Sequence, residues 1–87
     1  MTSENLSLVV GRVYRAKRPA RTGSIIDPVW NDRMIIWIGE YDVQYDSPAI
    51  TLGRRYPRVS KEAFLKWAHS DITDQMPNNE WRSAKIS

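Results

Sequence analysis

The chain has 87 residues, 13 basic and 10 acidic side chains, one histidine and no cysteine, for a net charge of +3. A chain of this length makes one domain and buries only about 60–65% of its unfolded surface. With 41% hydrophobic residues the composition is that of an ordinary globular domain, which excludes bulk disorder, collagen and coiled coil. The lack of cysteine excludes a disulfide framework, a zinc-thiolate site and a cysteine nucleophile.

The first expected strand is Leu8 to Lys17, rich in Val and Tyr, with Gly11 marking a bend and Pro19 ending it. Val9 and Val13 share one face of it. Arg18 to Asn31 reads as a long loop punctuated by Pro19, Gly23 and Pro28. A connection of that length is either a binding loop or disordered, and Ile25, Ile26, Val29 and Trp30 argue for a loop that packs back on the body. Arg33 to Gly39 contains the unbroken apolar run Met34 to Ile38 and predicts a central strand covered on both faces. After a turn at Gly39-Glu40, Tyr41, Val43 and Tyr45 alternate with Asp42, Gln44 and Asp46, the pattern of a half-buried strand. Asp46-Ser47-Pro48 turns the chain, and Ala49 to Leu52 is expected to complete an antiparallel meander.

Arg54 to Arg58 reads as irregular, because Pro57 disfavours helix before it. A helix follows at about 60–69. Ser60 is its expected N-cap, Val59 and Phe64 form a hydrophobic staple, and Glu62 suits the positive end. Ala63, Phe64, Trp67 and Ala68 make its apolar face, and His69 stands at its C-terminus. Residues 1–6 and 78–87 are expected to be mobile tails, with Trp81 able to dock.

These elements predict a mainly β protein with one helix, of the α+β class. The antiparallel sheet forms either a small open barrel or a twisted sheet of three to four strands, capped by the C-terminal helix. Over residues 8–53, the first strand, long loop and meander resemble SH3-like barrels in architecture, without a family motif. Trp37, Tyr45, Phe64 and Trp67 are the expected core aromatics among four Trp, four Tyr and one Phe.

The small net charge hides a block pattern. Residues 11–21 carry five cations and no acid: Arg12, Arg15, Lys17, Arg18 and Arg21. Residues 22–53 are acidic, with Asp27, Asp32, Glu40, Asp42 and Asp46 against Arg33. Residues 54–66 are basic again, with Arg54, Arg55, Arg58, Lys61 and Lys66 against Glu62. Guanidinium forks match phosphate oxygens, and Tyr56 can stack on a base. The two basic blocks therefore mark a surface for nucleic acid or for an acidic protein partner, the leading expectation for a small binding module without enzymatic activity or cofactor. The plain alternative is that these cations offset the acidic block across neighbouring strands.

Two further readings compete with it. A protein–protein adaptor would use the 18–31 loop, with Trp30 as its partner-facing aromatic. A small ribonuclease would work with Tyr14, Arg54, Arg55 and Tyr56. Asp42 and Asp46 share a strand face but lie about 13 Å apart, so no metal site or catalytic carboxylate pair is expected; the acidic residues read as an exposed face and turns. No apolar run approaches the roughly twenty residues of a membrane helix, and a cytoplasmic protein without a membrane partner is expected. The sequence leaves the oligomeric state open.

Overall fold

A computed structural model of the chain describes residues 6–23, 25–26, 28–50 and 53–75. In chain order the elements are β1 (Val13–Ala16), β2 (Arg21–Gly23), β3 (Pro28–Trp30), β4 (Arg33–Ile38), β5 (Asp42–Asp46), β6 (Arg58–Ser60), α1 (Lys61–Trp67) and β7 (Ala68–Asp71), followed by a 3-10 turn at Thr73–Gln75. Five strands form an antiparallel sheet in the order β6-β5-β4-β1-β7, and β2 pairs with β3 in a separate hairpin. Among the described residues the fold is mainly β with a single α-helix, and the sheet is not closed. No helix among the described residues is long and apolar enough to cross a membrane.

β4 is central, as its apolar run predicts. The helix begins where the sequence places it: Ser60 is the N-cap, and its Oγ accepts the Ala63 amide at 3.0 Å. Glu62 lies in the first turn and Lys66 in the last, each favourable to the helix dipole. The helix stops at Trp67, two residues before the expected end. Ala68 turns extended, and its segment pairs with β1 instead, Tyr14 opposite Asp71 and Ala16 opposite Ala68. His69 thus belongs to an edge strand, not to a helix end.

This topology forces the sheet to bend. β6 and β7 are the two edges, separated in a flat sheet by four strand spacings, or about 19 Å. Seven helical residues join them directly, and from Ser60 to Ala68 the helix advances only about 12 Å. The sheet must therefore curl until its edges fall within reach of α1. Its concave face holds the core: Tyr14, Ile35, Val43, Tyr45, Phe64 and Ala68 form one buried cluster, with Leu6, Leu8, Ile38, Ile50, Val59 and Trp67 packed against it. Phe64 is its hub, fully buried, with its ring 5.5 Å from Tyr14, 6.0 Å from Tyr45 and 5.2 Å from Trp67.

Four expectations need correction. The third strand of the meander is β6, not Ala49–Leu52: Ala49 and Ile50 lie in a turn, Thr51 and Leu52 fall outside the described residues, and Val43 pairs with Val59. With β7, this makes five strands rather than three or four. The 18–31 loop contains the β2–β3 hairpin, which supplies its backbone with hydrogen-bond partners. The first strand starts only at Val13; Val9 and Val10 precede it, exposed, and Gly11 turns the chain with a φ of 89°. The carboxylates are not all on an exposed face, since Asp32 and Asp46 are buried; Asp27 lies outside the described residues. The tails expected to be mobile, and Trp81, also lie outside them apart from Leu6, which packs on the core.

Replacing Phe64 by Ala removes the hub of the concave face. Phe64→Ala is expected to cost about 3–5 kcal/mol, read as a lowered urea midpoint. A loss below about 1 kcal/mol, the level of a surface change, would contradict the packing of α1 on the curled sheet.

A candidate anion-binding surface

Register divides the side chains between the two faces of the sheet. Tyr14, Arg33, Ile35, Ile38, Val43, Tyr45 and Val59 point to the concave side. Val13, Met34, Trp37, Gln44 and Arg58 occupy the convex side. The irregularity between Ile35 and Trp37 changes the alternation, so Trp37 faces outward opposite Gln44. Trp37 is therefore not a core residue; it is 39% exposed.

Two of the five cations in the first basic block are engaged in ion pairs within the protein. Arg12 Nε donates to Asp71 at 2.8 Å, and a terminal nitrogen reaches Asp74 at 3.3 Å. Asp71 also accepts from the amide and hydroxyl of Thr73, at 2.9 and 2.6 Å. Burial alone would raise the Asp71 carboxyl; the bonds from Arg12 and Thr73 outweigh it and hold the group below the usual carboxylate range. The same bonds, Asp71 first and Asp74 second, hold the Arg12 guanidinium above its ordinary value.

Arg15 makes two bonds to the buried Asp32, at 3.0 and 3.1 Å, a forked pair across the hairpin base. Its guanidinium lies 5.6 Å from the Trp30 ring, and that of Arg21 lies 5.9 Å from it. Trp30 is half-buried, with these two guanidinium groups near its ring. Lys17 and Arg18 are exposed beside this hairpin.

The second block is arranged differently. Arg54 and Arg55 are exposed, and Tyr56 is 40% exposed. Gln44, Arg55, Tyr56, Pro57 and Arg58 line an open cleft of about 510 Å³ at the β6 edge. Gln44 Nε2 donates to the Tyr56 carbonyl at 3.0 Å and fixes the cleft wall. Arg58 lies 4.5 Å from the centre of the Trp37 ring, with Asp42 4.0 Å from its Nε. Gly39 makes room for that ring: a Cβ built there would collide with the indole side chain. Trp37 is thereby held in place on the convex face, with Arg58 against it.

The two basic blocks are not neighbours in the sheet, because β4 and β5 lie between β1 and β6. Arg15 and Arg58 meet Asp32 and Asp42 of the acidic block, as the plain alternative expects, whereas Arg12 pairs with Asp71 and Asp74, outside that block. The ribonuclease set does not converge on the cleft: Tyr14 is fully buried, its hydroxyl donating to the Ser7 carbonyl at 2.7 Å and accepting from the Val9 amide at 3.0 Å. Burial raises the Tyr14 phenol, partly countered by the Val9 bond. Among the described residues no group of three His, Cys, Asp or Glu side chains could hold a metal ion.

Sequence reasoning missed Arg33 and Trp37. Arg33 lies on the concave side, 4.3 Å from the Tyr45 ring and 4.0 Å from the Trp67 ring, and burial pulls its guanidinium below its ordinary value. The signal was its two-residue spacing from Ile35. For Trp37 no local signal existed, since the bulge arises from pairing with β5.

Two outcomes test this geometry. Gly39→Ala is expected to displace the Trp37 indole, shifting its fluorescence and near-ultraviolet dichroism; an unchanged spectrum would contradict the close approach. Asp71 has a folded pKa below its unfolded value. Its contribution is complete above the ordinary carboxylate value near pH ~4 and is lost as pH falls through the lowered folded value. Asp71→Asn should therefore lower stability at pH 7, and the gap to the unsubstituted protein should narrow in acid; a gap independent of pH would refute the role of Arg12 and Thr73. Comparisons with known protein families, curated proteins and solved structures return no match to this chain.

Proposed function

We propose that the protein is a binding module for nucleic acid, with the cleft at the β6 edge receiving a single-stranded segment. The observation that carries this reading is an open cleft lined by exposed Arg55, Tyr56 and Arg58, with exposed Arg54 next to it in the chain and the Trp37 ring against Arg58. Single-strand binders combine cations that follow the backbone with aromatic faces that accept bases, and both are present here within a few residues.

The reading relies on the 54–58 segment rather than on the whole basic surface. Arg12 and Arg15 serve the fold through Asp71, Asp74 and Asp32. An acidic protein partner would use the same exposed arginines but would not need a ring for stacking, so Tyr56 separates the two readings.

Fluorescence anisotropy with labelled single-stranded DNA and RNA, from ~50 mM salt upward, tests it, because phosphate contacts weaken steeply with salt. Binding is expected at low salt. Replacing both Arg54 and Arg55 by Ala should flatten the slope of log affinity against log salt by about 1.4. Tyr56→Ala should weaken binding about 5- to 150-fold if one base stacks on the ring. No binding at ~50 mM salt overturns the proposal, and so does affinity indifferent to Tyr56.

A further inference from the structure

The β2–β3 hairpin carries the most exposed aliphatic side chains among the described residues. Ile25 is 99% exposed and Ile26 88% exposed, side by side at its tip. A single exposed aliphatic residue is ordinary. An adjacent pair on a held hairpin is different, because the support beneath it is elaborate. Arg21 pairs with Trp30, Thr22 with Val29 and Gly23 with Pro28. The Asn31 amide donates to the Ala20 carbonyl at 2.8 Å. Below that, Val29 is buried, Arg15 and Arg21 flank Trp30, and Arg15 grips Asp32. The base is fixed while the tip stands in solvent, and both tip residues are β-branched and stiff at χ1.

The foot of the hairpin is basic. Between Val13 and Trp30 the sequence holds Arg15, Lys17, Arg18 and Arg21 against the single acid Asp27, which adjoins Ile26. Lys17, Arg18 and Arg21 are exposed, and Arg21 lines one shallow surface pocket with Ile25. An apolar protrusion with cations at its foot calls for a target that is anionic at its surface and apolar inside. Two such targets are a bilayer and duplex DNA. The size of the tip decides between them. Two isoleucines bury less aliphatic chain than one myristoyl group, which alone gives only marginal membrane attachment. A kinked base step, by contrast, needs only one or two apolar wedges.

We propose that the hairpin is a wedge for duplex DNA: Ile25 and Ile26 enter a base step from the minor groove while Arg18 and Arg21 hold the flanking phosphates. This goes beyond the cleft reading, since it requires a duplex where the cleft takes a single strand. Insertion would unstack the step and bend the helix away from the hairpin, toward the major groove. Flexible pyrimidine–purine steps such as TA should be preferred, because they kink at least cost.

The full chain is tested on a duplex of about 25 bp with a central TA step, a dye at each end and 2-aminopurine at the step. At ~50 mM salt, binding should raise both energy transfer between the ends and 2-aminopurine fluorescence. The double variant Ile25→Ser, Ile26→Ser should abolish both signals and weaken duplex binding about tenfold, leaving the melting temperature and single-strand binding unchanged. Replacing Arg18 and Arg21 by Ala should flatten the duplex salt slope by about 1.8. Duplex binding without bending, or bending that survives the serine variant, overturns the wedge. So does the absence of duplex signals alongside sedimentation with phosphatidylglycerol vesicles that the serine variant loses, which would assign the tip to a lipid surface. Intact single-strand binding without any duplex bending defeats the wedge alone, and its loss in the Tyr56 variant still supports the cleft.

Discussion

One short helix sets the geometry of the whole molecule. α1 leaves β6 at one edge of the sheet and runs without a linker into β7 at the other. Its rise is shorter than the flat distance between those edges, so the sheet curls to meet it. The curl creates a concave side deep enough for Phe64, and the three rings around Phe64 supply the large apolar areas that a chain of 87 residues needs. It also brings Trp67, at the last turn of the helix, over Arg33 and hence beside Tyr45. Arg33 can then remain under cover as a cation held against two aromatic faces. Among the described residues no helix covers the convex side, where Trp37 and Arg58 remain exposed.

The helix start was legible because its signals are local: Ser60 caps, and Phe64 lies on the apolar face. β4 and β5 were legible for the same reason, the first from its continuous apolar run and the second from strict alternation. β6 and β7 were not. Ala68 to Asp71 continues a plausible helical pattern, and only pairing with Tyr14, Arg15 and Ala16 makes it extended. Arg58 to Ser60 is too short to read as a strand until Asp42, Val43 and Gln44 present their backbone to it. The β2–β3 hairpin was hidden by Pro19, Gly23 and Pro28, which mark turns but do not say that the chain between them doubles back. For β6 and β7 the missing information was a distant partner and for the hairpin a pairing across its own turn, neither of which periodicity carries.

The charge blocks show the same division. Their existence is plain in the sequence, but their meaning depends on pairing. Placing β7 beside β1 brings Asp71 to Arg12, and the turn into β4 brings Asp32 to Arg15. A strand order that put acid opposite acid would have left both arginines for solvent. Two of the five cations in the first block are thereby spent on fixing β1 to its neighbours and the hairpin to the sheet. Among the described residues the exposed cations include Lys17, Arg18 and Arg21 at the hairpin and Arg54, Arg55 and Arg58 near the β6 edge. The two groups differ in character, one on a hairpin with an aliphatic tip and one beside aromatic rings.

The second patch exists because of a single irregularity in β4. With strict alternation, Trp37 would share the concave side with Arg33 and Ile35, where Phe64, Tyr45 and Trp67 already fill the space. The bulge instead turns Ile38 inward opposite Val43 and sends the indole outward opposite Gln44. An indole on a convex face would ordinarily be mobile. Here Gly39 lets it settle on the backbone and Arg58 covers it, so its position is set by the same β4–β5–β6 register that builds the core. One wall of the cleft, Gln44 and Arg58, therefore lies on that register. A contact made there would cost little ordering, which is the advantage a preorganised surface has over a flexible basic tail.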